Sequence, residues 1–290
     1  MLVDTRIFLK KQKHHNGANK LYYENHPLFV TSRQQAREQL SGAISDGEIQ
    51  WPKFKTKLLT SNTKLEKIND DSDQLILTAG LQLSPSYSSG YNTCAFASGC
   101  AKVCLTSTGH GQDHMLQTLP NGEKIHYPHV ARIKRTLVFM EYRKQFMAQL
   151  IKEIKQHERI ATKQGARLAV RLNVFSDEEW EKIAPELWSI FPNVIFYDYT
   201  KNPFRKSTPK YDLTFSQNEI NQDIIHNTAG NVAVVFKIKK GQPLPLTYKG
   251  KVVIDGDIHD NRFSDIAINA IVGLRYKGNK TDHSNFAVTV

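Results

Sequence analysis

Short apolar runs separated by polar connections follow one another along the whole chain, and their spacing changes near residue 74. Before that point, "TSRQQAREQLSGAISDGEI" (31–49) predicts a helix with a Ser or Thr cap that stops near Gly42. "WPKFKTKLL" (51–59) alternates aromatic and basic positions, the pattern of an edge strand with one wet face or of a nucleic-acid contact. After a polar turn at "NDDSD" come seven strand-length runs: "QLILTAGLQLS" (74–84), "ARLAVRLNV" (166–174), "NVIFYDYT" (193–200), "YDLTFS" (211–216), "NVAVVFKI" (231–238), "KVVIDGD" (251–257) and "INAIVGLRYKG" (268–278). Between the first two, residues 128–163 predict one long helix with Val130, Ile133, Leu137, Phe146, Leu150 and Ile154 on a single face. "SDEEWEKIAPELWSIF" predicts another, with Ser176 as its cap and Glu179 in the capping-box position.

Continuous apolar runs alternating with helices or compact connections predict a largely parallel sheet covered on both faces. Six or seven such strands make a partial or near-closed (β/α) barrel, so the fold class is α/β. Residues 1–70 form an N-terminal accessory region and residues 71–290 the barrel-like domain. In such folds the ligand site lies at the carboxyl ends of the strands. Asn173, Asp198, Lys201, Asp255, Asp257 and Arg275 each lie at or just beyond a predicted strand end. They are therefore expected around one pocket, where mixed charge suits a nucleoside or nucleotide.

Charge narrows the choice of partner. The 39 basic and 28 acidic residues leave a net +11, which favours an anionic small molecule or nucleic acid, although a lysine-rich soluble surface has the same sum. No run approaches the roughly eighteen apolar residues of a membrane helix, and the start of the chain is too polar for a signal peptide. The oligomeric state is not legible. Arg132, Arg135 and Arg143 form either a phosphate-facing stripe or a solvated helix face. "YDYTKNPFRKSTPK" sets basic charge beside aromatic rings, as nucleotide sites do. Asp255, Asp257, Asp260 and Asp265 suit either magnesium and ribose contacts or ordinary turn and cap chemistry. Walker, Rossmann, Gly-x-Ser-x-Gly and zincin patterns are absent.

Chemistry concentrates in "YNTCAFASGCAKVC" (91–104), which holds all three cysteines, Cys94, Cys100 and Cys104, as Cys-x5-Cys-x3-Cys. Three thiols cannot pair off completely, so a reducing, cytoplasmic setting is expected. Thiolates crowded together repel unless a cation neutralises them. Zinc would need a fourth ligand, for which His110 or His114 stands just downstream, giving Cys3His. A four-iron cubane would be left with one open iron. Thiols without metal are the third possibility.

The loop resembles that of radical S-adenosylmethionine enzymes, which carry three cysteines after the first strand of a partial α/β barrel. That resemblance implies a [4Fe-4S] cluster and S-adenosylmethionine. The spacing departs from the usual Cys-x3-Cys-x2-Cys, Val103 stands where an aromatic residue precedes the third cysteine, and no glycine-rich motif closes the second strand. At "CAFASGCAKVCL", "ARIKRTLVFMEYRKQFMAQLIKEI", "RLNVFSDEEWE", "FPNVIFYDYTK" and "VVIDGDIHDNRFSD" the chain also resembles the gene product 88 family of bacteriophage proteins, over roughly residues 75 to 285. This implies a phage-encoded protein of the infected cell's cytoplasm. The expected function is a radical S-adenosylmethionine-like enzyme acting on a nucleotide, nucleic acid or other anionic substrate. The alternative is a zinc-stapled nucleic-acid-binding phage protein without catalysis.

Overall fold

A computed structural model describes residues 20–51, 53–61, 75–104, 116–122, 124–226, 228, 230–265, 269–278 and 284–290. Helix α1 (Pro27–Ser41) starts with proline in its first turn, where a missing N–H is harmless, and stops at Gly42 as expected. Its first residue is preceded by His26, not by a hydroxyl cap. Strands β1 (Ile44–Ser45) and β2 (Glu48–Ile49) form a small antiparallel pair. The edge strand expected over 51–59 shrinks to β3 (Leu59–Thr60). Lys53 and Phe54 turn back onto Gln50 O, and Trp51 packs edge-on against Phe54.

β4 (Ile76–Leu81) leads through a loop to the short helix α2 (Gly99–Lys102). A hairpin of β5 (Leu116–Thr118) and β6 (Lys124–His126) then runs into α3 (Tyr127–Glu141) and α4 (Arg143–Lys163). The long helix expected over 128–163 is thus broken at Tyr142, whose φ of −130° and ψ of 48° are not helical. Arg143 bridges the break by donating Nε to Phe139 O at 2.7 Å, while Glu141 is held by Arg37 and by the Tyr91 hydroxyl. All six apolar residues named for the helix face are nevertheless buried.

β7 (Arg167–Arg171), the one-turn helices α5 (Trp180–Ile183) and α6 (Leu187–Ile190), β8 (Ile195–Thr200), β9 (Asp212–Ser216), β10 (Val232–Phe236), β11 (Thr247–Tyr248), β12 (Lys251–Asp255) and β13 (Ile271–Arg275) complete the order. The expected helix after Ser176 is split because Pro185 forces Ala184 to φ −149°. Ser176 does not cap it. Its hydroxyl instead donates to Asn173 Oδ1, which also accepts from Glu178 N and Trp180 Nε1.

The main sheet has nine strands in the order β11-β12-β13-β10-β9-β8-β7-β4-β3. Every neighbouring pair from β12 to β4 is parallel, and the outermost pair at each edge is antiparallel. No pairing joins β3 to β11 among the described residues, so hydrogen bonds do not close the sheet. On β7, Leu168 and Val170 face the helices in the large core with Phe146, Leu150 and Ile154, while Ala169 joins Ile76 and Tyr197 on the opposite face. Leu58 and Leu59 belong to that large core too, held by the buried Glu153 of α4, which accepts both of their amides. Among the described residues no helix is long and apolar enough to cross a membrane.

Candidate functional site

The loop after β4 carries the cysteines across the carboxyl ends of the strands, and bonds from several directions fix its path. Ser84 N donates to Thr136 Oγ1 of α3, and the Thr93 hydroxyl donates to Ser84 O. The buried Tyr23 donates its hydroxyl to Ala101 O at 2.7 Å. From the segment after β9, the central strand of the sheet, Asn218 Nδ2 donates to Phe96 O at 3.0 Å. The neighbouring Glu219 accepts from the Ser98 hydroxyl and from Gly99 N. Ser98 has φ +46°, a conformation that non-glycine residues adopt only when neighbours hold them there. Glu219 is that neighbour.

Residues at or just past the end of each parallel strand meet in one cavity of about 590 Å3. Cys94, Cys100 and Cys104 all line it. They are half-buried thiols, none in a disulfide. Burial pushes the Cys94 thiol well up and Cys100 to about 11, with Lys201 pulling Cys100 the other way. Cys94 Sγ accepts from Ser86 N at 3.4 Å and donates to Phe175 O at 3.3 Å.

Of the polar residues expected at this rim, Asn173, Lys201, Asp257 and Arg275 line the cavity with the thiols. Lys201 donates Nζ to Ser216 Oγ at 2.7 Å, with its ammonium 5.1 Å from the Phe286 ring centre. Arg275 pairs with both Asp255 and Asp257, and Lys277 also reaches Asp257. Asp198 and Asp255 are not among the lining residues. Asp255 ends β12 with its carboxylate on Arg275, and the following Gly256–Asp257 step turns only Asp257 inward. Asp198 is turned away by strand alternation. It shares a face with Phe196 of the helix-side core, while Tyr199 on the other face and Thr200 at the strand end line the cavity.

Asp198 is nonetheless central to the scaffold. Its carboxylate accepts from Leu172 N, from Asn173 N and, at 2.5 Å, from the Tyr211 hydroxyl, and it lies 3.6 Å from Arg171. Arg171 also pairs with Asp260 at 2.7 Å, and these two carboxylates hold it charged against the penalty of burial. The basic loop after β8 is used in the same way. Arg205 donates Nε and Nη2 to the two carboxylate oxygens of Glu181 and Nη1 to Asp177, so its charge is committed inside the protein. Asp177 also takes the Thr200 hydroxyl and Lys201 N. Asp260 is the buried partner of Arg171, and Asp265 lies 3.5 Å from Arg262, so both serve ion pairs rather than a free carboxylate cluster.

The three helix arginines divide sharply. Arg135 donates to Lys57 O and Gln82 O, and Arg143 to Phe139 O. Arg132 lines the cavity with its guanidinium 4.5 Å above the Phe175 ring. His110 and His114, the expected fourth zinc ligands, lie outside the described residues.

Glu178, beside this site, gives a test in solution. Burial pushes its carboxyl up to about 7 although Arg143 opposes the shift. The folded state therefore holds a proton that the unfolded chain, with a carboxyl near 4.5, has already released. That stabilising effect is complete below pH 4.5 and is lost as pH rises through 7. Unfolding free energies from denaturant titrations between pH 5 and 8 should fall by an amount on the order of 1–3 kcal/mol, and Glu178→Gln should flatten that slope.

A mostly parallel α/β sheet with three thiols in a cavity at its carboxyl ends defines the class of protein. The chain belongs to the gene product 88 family, whose sequence profile matches residues 55–289. No curated protein and no solved structure matches it.

Proposed function

We propose that the protein is an iron–sulfur enzyme of the radical S-adenosylmethionine kind, working on a partial barrel in the reducing cytoplasm of a phage-infected cell. The observation that carries this reading is the presence of all three thiols in one cavity to which seven parallel strands contribute. The donor set fits a cubane with one open iron: three cysteines, and no fourth anywhere in the chain. Among the described residues no group of three His, Cys, Asp or Glu side chains already stands at metal-holding spacing. Loading therefore requires the loop to draw the sulfurs inward and the thiols to lose their protons.

When bound, the cluster and its cosubstrate supply one-electron cleavage of a sulfonium, the opening step of hydrogen-atom abstraction. The chain's own residues do the rest. Arg132 and Lys201 set positive charge beside Cys104 and Cys100. Phe175, Val235 and Leu274 provide apolar wall that limits water. The net charge of +11 supports an anionic substrate.

Anaerobic reconstitution with iron and sulfide should give a brown protein with about four irons per chain. Cys94→Ser, Cys100→Ser and Cys104→Ser should each reduce bound iron to near background. Colourless protein with one equivalent of zinc and no iron would replace this reading with that of a zinc-stapled protein.

A further inference from the structure

Five cationic side chains line the cavity, and three of them are spoken for. Arg171 is paired with Asp260, Arg275 with Asp255 and Asp257, and Lys277 with Asp257. Arg132 and Lys201 have no carboxylate partner among the described residues. The Lys201 ammonium bonds to the neutral Ser216 hydroxyl. Arg132 is the more telling case. Its Nε and Nη1 are shielded from solvent and find no hydrogen-bond acceptor among the described residues, although the guanidinium lies 4.5 Å above Phe175.

Guanidinium nitrogens shielded from water without an acceptor are expensive, because their lost hydration is not replaced. The arrangement is therefore suited to an occupant that supplies the acceptors. Guanidinium presents a planar fork of donors that matches carboxylate and phosphate oxygens. At about 590 Å3 the cavity has the size of sites that enclose whole small molecules.

We propose that the cavity binds a small molecule through an oxyanion, a phosphate or a carboxylate, held by the Arg132 guanidinium with Lys201 as a second cation. This deepens the functional reading by naming the group recognised in the same cavity, but it depends on the cavity alone and not on which metal the cysteines carry. Unfolding temperature, followed at constant ionic strength adjusted with KCl, separates it from the cluster question. The probes are inorganic pyrophosphate and succinate, which represent the two sources of such an oxyanion.

Wild-type protein, as isolated and after metal removal, should show a saturable rise in unfolding temperature with at least one probe. Pyrophosphate acting at lower concentration than succinate marks a phosphate ligand, and the reverse marks a carboxylate. Arg132→Met should weaken the apparent affinity at least tenfold, and Arg132→Lys should recover part of it. Lys201→Met should weaken it less. Lys144→Met, which removes one exposed charge from α4, should leave it unchanged. Equal responses in Arg132→Met and wild type, or no saturable response to either probe, would overturn the proposal. Neither result depends on iron content, so the cluster can fail while the anion site stands, and the converse also holds.

Discussion

Asp198→Ala is expected to destabilise the protein by about 3–5 kcal/mol, enough to leave little folded chain at 37 °C. The carboxylate is completely buried and satisfies two backbone amides at the end of β7 together with the Tyr211 hydroxyl. Removing it strands those donors and leaves Arg171, itself buried, with Asp260 alone. An uncompensated charge in a low-dielectric interior is costlier than the loss of the pair as such. Asp198→Asn keeps the shape and one acceptor oxygen, so its loss should be roughly half as large. Urea midpoints for the two variants decide the matter. A fall of less than about 1 kcal/mol for Asp198→Ala would show that Arg171 is stabilised by something else.

The second large effect falls on the cysteine loop. A Cβ built on Gly99 would stand 2.7 Å from Glu219 Oε2 and 2.9 Å from its Cδ. The carboxylate cannot move aside without releasing Gly99 N and the Ser98 hydroxyl. Gly99→Ala should therefore cost about 1–3 kcal/mol. On the metal-binding reading proposed above, it should also lower metal loading more than global stability, since Cys100 is the next residue. Glu219→Ala removes the obstacle as well as the two bonds. The double variant should then be less damaged than the sum of the single ones, by more than about 0.5 kcal/mol. Strict additivity would mean that the two residues do not meet in solution.

Much of the scaffold was legible because a strand buried on both faces needs an unbroken apolar run. "NVAVVFKI" and "NVIFYDYT" thus announced β10 and β8 to within two residues at either end. The break at Tyr142 was hidden, since no Pro or Gly marks it and its repair comes from the Arg143 side chain. Convergence of Asn173, Lys201, Asp257 and Arg275 followed from the shared direction of parallel strands. Asp198 shows the limit of that rule: lying within β8, it obeys the two-residue alternation that sends Tyr199 inward. Arg132 was harder still. Arg132, Arg135 and Arg143 look alike in sequence, and only the carbonyls near Arg135 and Arg143 set them apart.

The lock on the cysteine loop joins residues far apart in the chain, with Ser98 and Glu219 separated by 121 positions. Contacts of such separation close long loops and so carry a large entropic cost that the rest of the fold must offset. Without the segment following β9, the Ser98 hydroxyl and Gly99 N lose their shared acceptor, and without the later strands the thiols lose the walls that Val235, Asp257 and Leu274 supply. The site is thus completed by β9 and the strands that follow it, and on the metal-binding reading proposed above a chain cut off after β8 would keep every cysteine but should hold metal poorly.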